Sequence, residues 1–293
     1  MKRASGGTVV VLLLALTSAR AGAAIMPYVS DANTAVLYHL DEPTTAMSAN
    51  VADHVISDVD GNVTLRTDVG VSPFAHPVSG GAIPGPGGLS TAMASYAGWK
   101  RAFRTSGADT SLFSTTQFTV EAWIRDPGTI PDAGTNLSTI FHVAGAGDIQ
   151  FAVIEISGEK KLRLKYNLPS GTSTLLSDAV TFDSEAWYHA AVTYDDHGSG
   201  TANDSTVTFY FTPEGSFNAG VLQAGESTNA GDLEAFATAG LLSIGETFGT
   251  DNFNGYIDEV RYSNVDRFGE AVIPEPAGLG VLGIALLALR RRG

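Results

Sequence analysis

The chain has 293 residues, with 17 Lys and Arg against 31 Asp and Glu, six His and no Cys. Three basic residues fall in the first 24 positions and three in the last four, and every acidic residue lies between Asp31 and Glu275, so the middle carries 11 basic and 31 acidic groups, a net of −20. Such a surface repels phosphate backbones and argues against nucleic-acid binding, while the lack of Cys excludes disulfides and thiolate chemistry and leaves stability to a hydrophobic core.

Met1-Lys2-Arg3 is a positive start, Thr8 to Leu16 is an apolar run, and Ala21-Gly22-Ala23 is a small-x-small cleavage site. These three parts in this order predict a secretory signal peptide over residues 1–24. A buried amphipathic helix would need polar residues interrupting the run every three or four positions. The fold is expected to begin near Ala24 or Ile25.

From Asn33 to Phe268 short runs with a period of two alternate with Gly, Asp, Asn, Ser and Pro. In "QFTVEAWIRD" one face reads Phe118, Val120, Ala122 and Ile124, and the other Thr119, Glu121, Trp123 and Arg125. That pattern predicts a half-buried strand, and "DIQFAVIEIS", "KLRLKYNL", "WYHAAVTYD", "STVTFYFTP" and "GYIDEVRYS" behave alike. The expectation is an all-β domain of two packed antiparallel sheets over residues 25–270. Gly70 to Ser90, dense in Gly and Pro, is expected to be a long loop, and so is the small, polar "LQAGESTNAGDLEAFATAG".

The chain closes with "VIPEPAGLGVLGIALLALRRRG", residues 272–293. As a helix, Ala277 to Leu289 covers roughly 20 Å at about 1.5 Å per residue, short of a hydrocarbon core of about 30 Å. The segment resembles the PEP-CTERM sorting signal, with Pro274, Glu275 and Pro276 as the motif, then a short apolar helix and an arginine cluster. The resemblance implies transient membrane insertion with the arginines held in the cytoplasm, and removal by an exosortase-type protease. It also implies release to the cell surface or extracellular matrix of an envelope-bearing bacterium that makes exopolysaccharide. The alternative is a plain C-terminal anchor.

Five segments carry a second resemblance: "AVLYHLDE" at 35–42, "SDVDGNVTL" at 57–65, "FTVEAWIR" at 118–125, "WYHAAVTYD" at 187–195 and "FNGYIDEVRYSN" at 253–264. In this order they resemble laminin-G-like domains of the concanavalin-A-like superfamily, with Trp187, His189, Ala191, Val192, Asp195 and Gly255 to Arg261 on the family pattern. The resemblance implies a two-sheet antiparallel jelly-roll sandwich between the signal helix and the short C-terminal apolar helix. Non-catalytic binding is expected, with carbohydrate of the surface or matrix as the favoured ligand; the alternatives are a structural or adhesive protein that contacts other proteins and, less favoured, a polysaccharide hydrolase or lyase. Trp99, Trp123 and Tyr96 are the aromatics to inspect for sugar stacking, although core packing is the ordinary use of each.

The superfamily includes hydrolases, whose paired carboxylates come from one strand as Glu-x-Asp-x-x-Glu or Glu-x-Asp-x-Glu. Neither pattern occurs; the nearest groups are Asp183 to Glu185 and Ile257 to Glu259, and Asp258 and Glu259, being adjacent, should point to opposite faces. There is no His-Glu-x-x-His, no Gly-x-Ser-x-Gly and no phosphate-cradling glycine loop, and His189 is expected to be a packed, hydrogen-bonded histidine. Calcium is the one candidate ion. Period two places Asp258 with Tyr256, Val260 and Tyr262 on an apolar face, where a carboxylate needs backbone donors or a cation, and Asp41, Asp58 and Asp60 could complete an oxygen set. The competing reading is turn chemistry, with "DVDGN" an Asx turn and Asp258 bonded to the backbone.

Overall fold

The computed structural model describes residues 28–39, 55–57, 64–67, 93–95, 103–108, 110–125, 137–183, 186–197, 204–236, 240–245, 247, 251, 253 and 255–268. The expected signal peptide, the sorting segment with Pro274, Glu275 and Pro276, the Gly70 to Ser90 loop, Asp41, Asp58, Asp60, Tyr96 and Trp99 lie outside the described residues.

The described residues form strands β1 (Thr34–Tyr38), β2 (Val55–Ser57), β3 (Thr64–Thr67), β4 (Met93–Ser95), β5 (Phe103–Ala108), β6 (Gln117–Arg125), β7 (Leu137–Ala144) and β8 (Ile149–Ile156). They continue with β9 (Glu159–Leu168), β10 (Gly171–Val180), β11 (Trp187–Asp195), β12 (Ser205–Pro213), β13 (Gln223–Ala230), β14 (Gly240–Ile244) and β15 (Gly255–Ser263). Two 3-10 turns, Thr110–Phe113 and Glu214–Ala219, accompany them. One antiparallel sheet runs β1-β15-β6-β11-β12-β13 with β4 also on β15, and the other runs β10-β9-β8-β7-β14-β5-β3-β2. This is the expected two-sheet sandwich.

The inner faces meet in one core. Phe118, Val120, Ala122 and Ile124 of β6 are all buried in it, as their period of two predicts. Aromatic rings tie the layers together: Phe141 of β7 stacks on Tyr262 of β15 at 5.9 Å, and Tyr166 of β9 meets Tyr194 of β11 edge-on at 5.6 Å. Each such pair adds about 0.5–1.5 kcal/mol beyond area burial.

Three expectations are corrected. Gln223–Ala230, read as loop, is the edge strand β13; small polar residues suit an edge because only one side of the strand must pair. The outer face of β6, read as exposed, is buried too, because Tyr28, Phe217 and Phe268 pack over Trp123 and His189. The third concerns Asp258. It pairs with Trp123, whereas Arg261 pairs with Glu121, so β15 holds one residue more than β6 across this interval. The extra residue is accommodated by a β-bulge with Glu259 at φ +50°, which reverses the alternation. Asp258 therefore shares the outer face with Trp123, while Val260 and Tyr262 enter the core.

Candidate functional site on the outer sheet faces

On the outer face of the first sheet the register brings Glu121 beside Ala191 on one side and Arg261 on the other. Glu121 is 2% exposed. Its Oε1 accepts from Arg261 Nη2 at 2.6 Å and Nε at 2.7 Å, and its Oε2 lies 3.0 Å from His189 Nε2. Burial alone would raise the Glu121 pKa, but Arg261 and the His189 bond outweigh it and hold the carboxyl at about 2. A carboxyl so low and so enclosed is a poor proton donor at neutral pH. The cluster instead anchors the segment before β1: the Arg261 guanidinium lies 4.3 Å over the Tyr28 ring, and the Tyr28 N–H donates to Glu259 Oε2 at 2.9 Å. His39 Nδ1 is 2.8 Å from Glu259 Oε1. Both members of the Asp258-Glu259 pair are thus buried rather than split between core and solvent. Trp123 is fully buried, so its ring serves packing, not sugar stacking.

The outer face of the second sheet is polar and partly open. Cross-strand pairing aligns His142 with Gln150, Gln150 with Lys165, and Lys165 with Thr174. Asp148, in the tight turn between β7 and β8 at φ +41°, receives Lys165 Nζ at 2.6 Å and lies 2.9 Å from His142 Nε2. Burial raises the Asp148 pKa, and these two neighbours more than reverse it. Gln150 Oε1 accepts from Arg163 Nη2 at 2.7 Å, and Gln150 Nε2 donates to Thr139 Oγ1 at 2.8 Å. Burial lowers the pKa of Arg163 against the pull of Asp251 and Asp148. The result is a guanidinium and an ammonium fixed from beneath, flanked by exposed Thr172 and Thr174. Planar donors held in place are the groups that recognise hydroxyls and anions.

Of the four residues expected to ligate calcium, Asp258 is the one described; it is 1% exposed, and its Oδ1 accepts the Glu259 N–H at 2.9 Å. Elsewhere Asp196, Asp204 and Asp232 bring carboxylate oxygens within 4.8 Å of one another, an oxygen-only set of the kind calcium takes. Asp258 is not part of that trio. It stands opposite Trp123, six positions along β6 from the Gln117 that faces Asp195, and six strand residues span about 20 Å.

Sequence reasoning missed the polar row of the second sheet and the Asp trio. The first was visible as alternating Lys161, Arg163 and Lys165 in "KLRLK"; the second had a partial signal in Asp196 and Asp204 at the two ends of one hairpin loop.

No curated protein matches the chain. Solved structures similar to it include domain 4 of AbnA, a GH43 extracellular arabinanase from Geobacillus stearothermophilus in complex with arabinotriose, at 18% identity over 79% of this chain and 92% of that one, with a TM-score of 0.48. The botulinum neurotoxin serotype G binding domain matches at 10% identity over 80% of this chain and 48% of that one, TM-score 0.43. Trypanosoma rangeli sialidase matches at 14% identity over 80% and 31%, TM-score 0.42. The model of the concanavalin A-like lectin/glucanases superfamily matches residues 103–272, which is more than half of the 293 residues and takes in every strand from β5 to β15. With the two-sheet sandwich in view, the chain belongs to the concanavalin A-like lectin/glucanases superfamily.

Proposed function

We propose that this chain is an exported, non-catalytic carbohydrate-binding protein of the cell surface or extracellular matrix, and that it binds through the outer face of its second sheet. The observation that carries the proposal is the braced donor row on that face: Arg163 held by Gln150, Lys165 held by Asp148, and exposed Thr172 and Thr174 alongside. Sugars are recognised by such fixed polar groups, and the non-catalytic reading is supported by Asp148, the carboxylate beside the row, being tied to Lys165 and His142. Among the described residues the exposed large apolar side chains are Val29, Ile156, Leu176 and Leu222, on four separate segments of the sequence, which lends the adhesive alternative no support from this part of the chain.

Export and attachment rest on the sequence signals: the leader over residues 1–24 and the Pro274-Glu275-Pro276 segment, which would be cut by an exosortase-type protease after temporary membrane insertion. A glycan array probed with the purified chain tests the binding proposal, and a blank array in the presence and absence of calcium would end it. Intact mass of protein from the native host tests the processing. A mature species that keeps Leu289 and the arginines would make the tail an anchor.

A further inference from the structure

We infer that the ligand of this face is an anionic polysaccharide, bearing carboxylate or sulfate groups, that lies along β9 across Lys161, Arg163 and Lys165. The inference rests on the carbohydrate-binding reading above and narrows it.

The basic residues of the middle of the chain are concentrated on β9. Only 11 Lys and Arg lie between the leader and the tail, and four of them, Lys160, Lys161, Arg163 and Lys165, are on this one strand. Leu162, Leu164 and Tyr166 are buried in the core, so the alternate positions 161, 163 and 165 face outward together. Successive same-face side chains on a strand stand about 7 Å apart, which makes a regular row of cations suited to a ligand with repeating charge.

The three outward cations differ in how they are paired. Lys165 is tied to Asp148 at 2.6 Å, whereas Lys161 has Glu159 at 3.7 Å, a carboxylate that is 62% exposed. Arg163 donates to a neutral amide oxygen of Gln150, and its Nε is buried without a hydrogen-bond partner. Burial lowers the Arg163 pKa against the pull of Asp251 and Asp148, and a ligand anion at this half-buried guanidinium adds charge-assisted hydrogen bonds to those it already makes. The ammonium groups remain within reach of a ligand, with Lys161 and Lys165 side chains 26% and 32% exposed.

The remainder of the chain is strongly acidic, yet its field is screened beyond about 8 Å at physiological ionic strength, so contact pairs on the row decide binding. The hydroxyls of Thr172 and Thr174 and the amide of Asn167, to which Thr172 Oγ1 donates at 3.0 Å, border the row and can hydrogen-bond sugar hydroxyls.

The test is titration of the purified full chain with neutral dextran, polygalacturonate, dextran sulfate, polyglutamate and single-stranded DNA. Polygalacturonate or dextran sulfate should bind, and which of the two binds tighter tells carboxylate from sulfate. Arg163→Gln should weaken that binding about tenfold, equal to about 1.4 kcal/mol, and Arg163→Lys should restore part of it. Near-UV circular dichroism of both variants confirms that the fold is kept. Binding to dextran alone would overturn the anionic ligand while leaving carbohydrate binding intact. No binding to any polysaccharide would remove the parent reading as well. Equal affinity for polyglutamate or DNA, or acidic-polysaccharide binding untouched by Arg163→Gln and by the combined Lys161→Gln, Arg163→Gln, Lys165→Gln variant, would overturn the inference.

Discussion

Arg261 and Glu121 meet with two guanidinium nitrogens, Nη2 and Nε, at 2.6 and 2.7 Å from one carboxylate oxygen, on a sheet face whose alternation in sequence assigns it to solvent. The pair is enclosed because the chain before β1 and the residues after β15 fold over it, with Tyr28 under the guanidinium and Phe268 against His189. It follows that Glu121 stabilises the closure of this layer. Glu121→Gln removes one charge of a buried pair and is expected to cost about 3–5 kcal/mol, read as a lower urea midpoint at unchanged slope.

The pH dependence has a definite sign. Glu121 is held at about 2 against an ordinary 4.5, by Arg261 and His189 acting against burial. The bond from Arg267 holds Asp31 at about 2 against an ordinary 3.8. Both values are depressed by folding, so this stabilisation is complete above the ordinary values and is lost as pH falls through them toward 2. Thermal melts from pH 7 down to pH 2 should show Tm flat at first and then falling below about pH 4.5, and Glu121→Gln should flatten that fall.

Arg267 grips Asp31 with two bonds, Nη1 to Oδ2 at 2.9 Å and Nη2 to Oδ1 at 2.8 Å, joining the start of the described chain to its end. The Asp31 carboxylate is 44% exposed, so loss of this ion pair by itself should lower global stability by no more than about 1 kcal/mol in Arg267→Ala. Limited proteolysis should nonetheless cut near residues 28–33 faster than in the parent, since local opening is governed by the contacts of the segment itself.

Asp258 separates the calcium expectation from backbone bonding. Its Oδ1 caps the N–H of Glu259 at the bulge, where the ladder is interrupted. Asp258→Ala should therefore cost about 1–3 kcal/mol, by the same amount with and without chelator. A wild-type Tm that drops on chelation, beside an Asp258→Ala Tm that does not move, would instead support a calcium ion held with Asp41, Asp58 and Asp60.

Gly225 marks where the edges of the two sheets meet. Its φ is +135°, and a Cβ there would come 2.9 Å from the Asp178 backbone nitrogen on β10. Gly225→Val combines an unfavourable backbone with a clash against backbone, so a loss of about 1–3 kcal/mol is expected in denaturant titration.

The strands of the core were legible because alternation survives in them: every second residue of β6 and β11 is apolar, and those are the residues that meet between the sheets. Three things were not. The bulge at Glu259 puts a non-glycine residue at positive φ, which no composition rule marks. The cover over Trp123 comes from residues near positions 28, 217 and 268, so the burial of that face depends on contacts distant in sequence. The Gln150-Arg163 and Asp148-Lys165 contacts depend on cross-strand register, although the cations themselves alternate plainly in "KLRLK".

Carbohydrate binding by the outer face of the second sheet is tested most directly by titrating the best array ligand into three proteins. Gln150→Ala removes the brace beneath Arg163, and Arg267→Ala acts on the other sheet, where Arg267 bonds Asp31, Thr34 and Ser263. Gln150→Ala should raise the Kd about tenfold, with Arg267→Ala equal to the parent. A parent-like Kd for Gln150→Ala, or a loss confined to Arg267→Ala, would place the ligand elsewhere and contradict binding by this face.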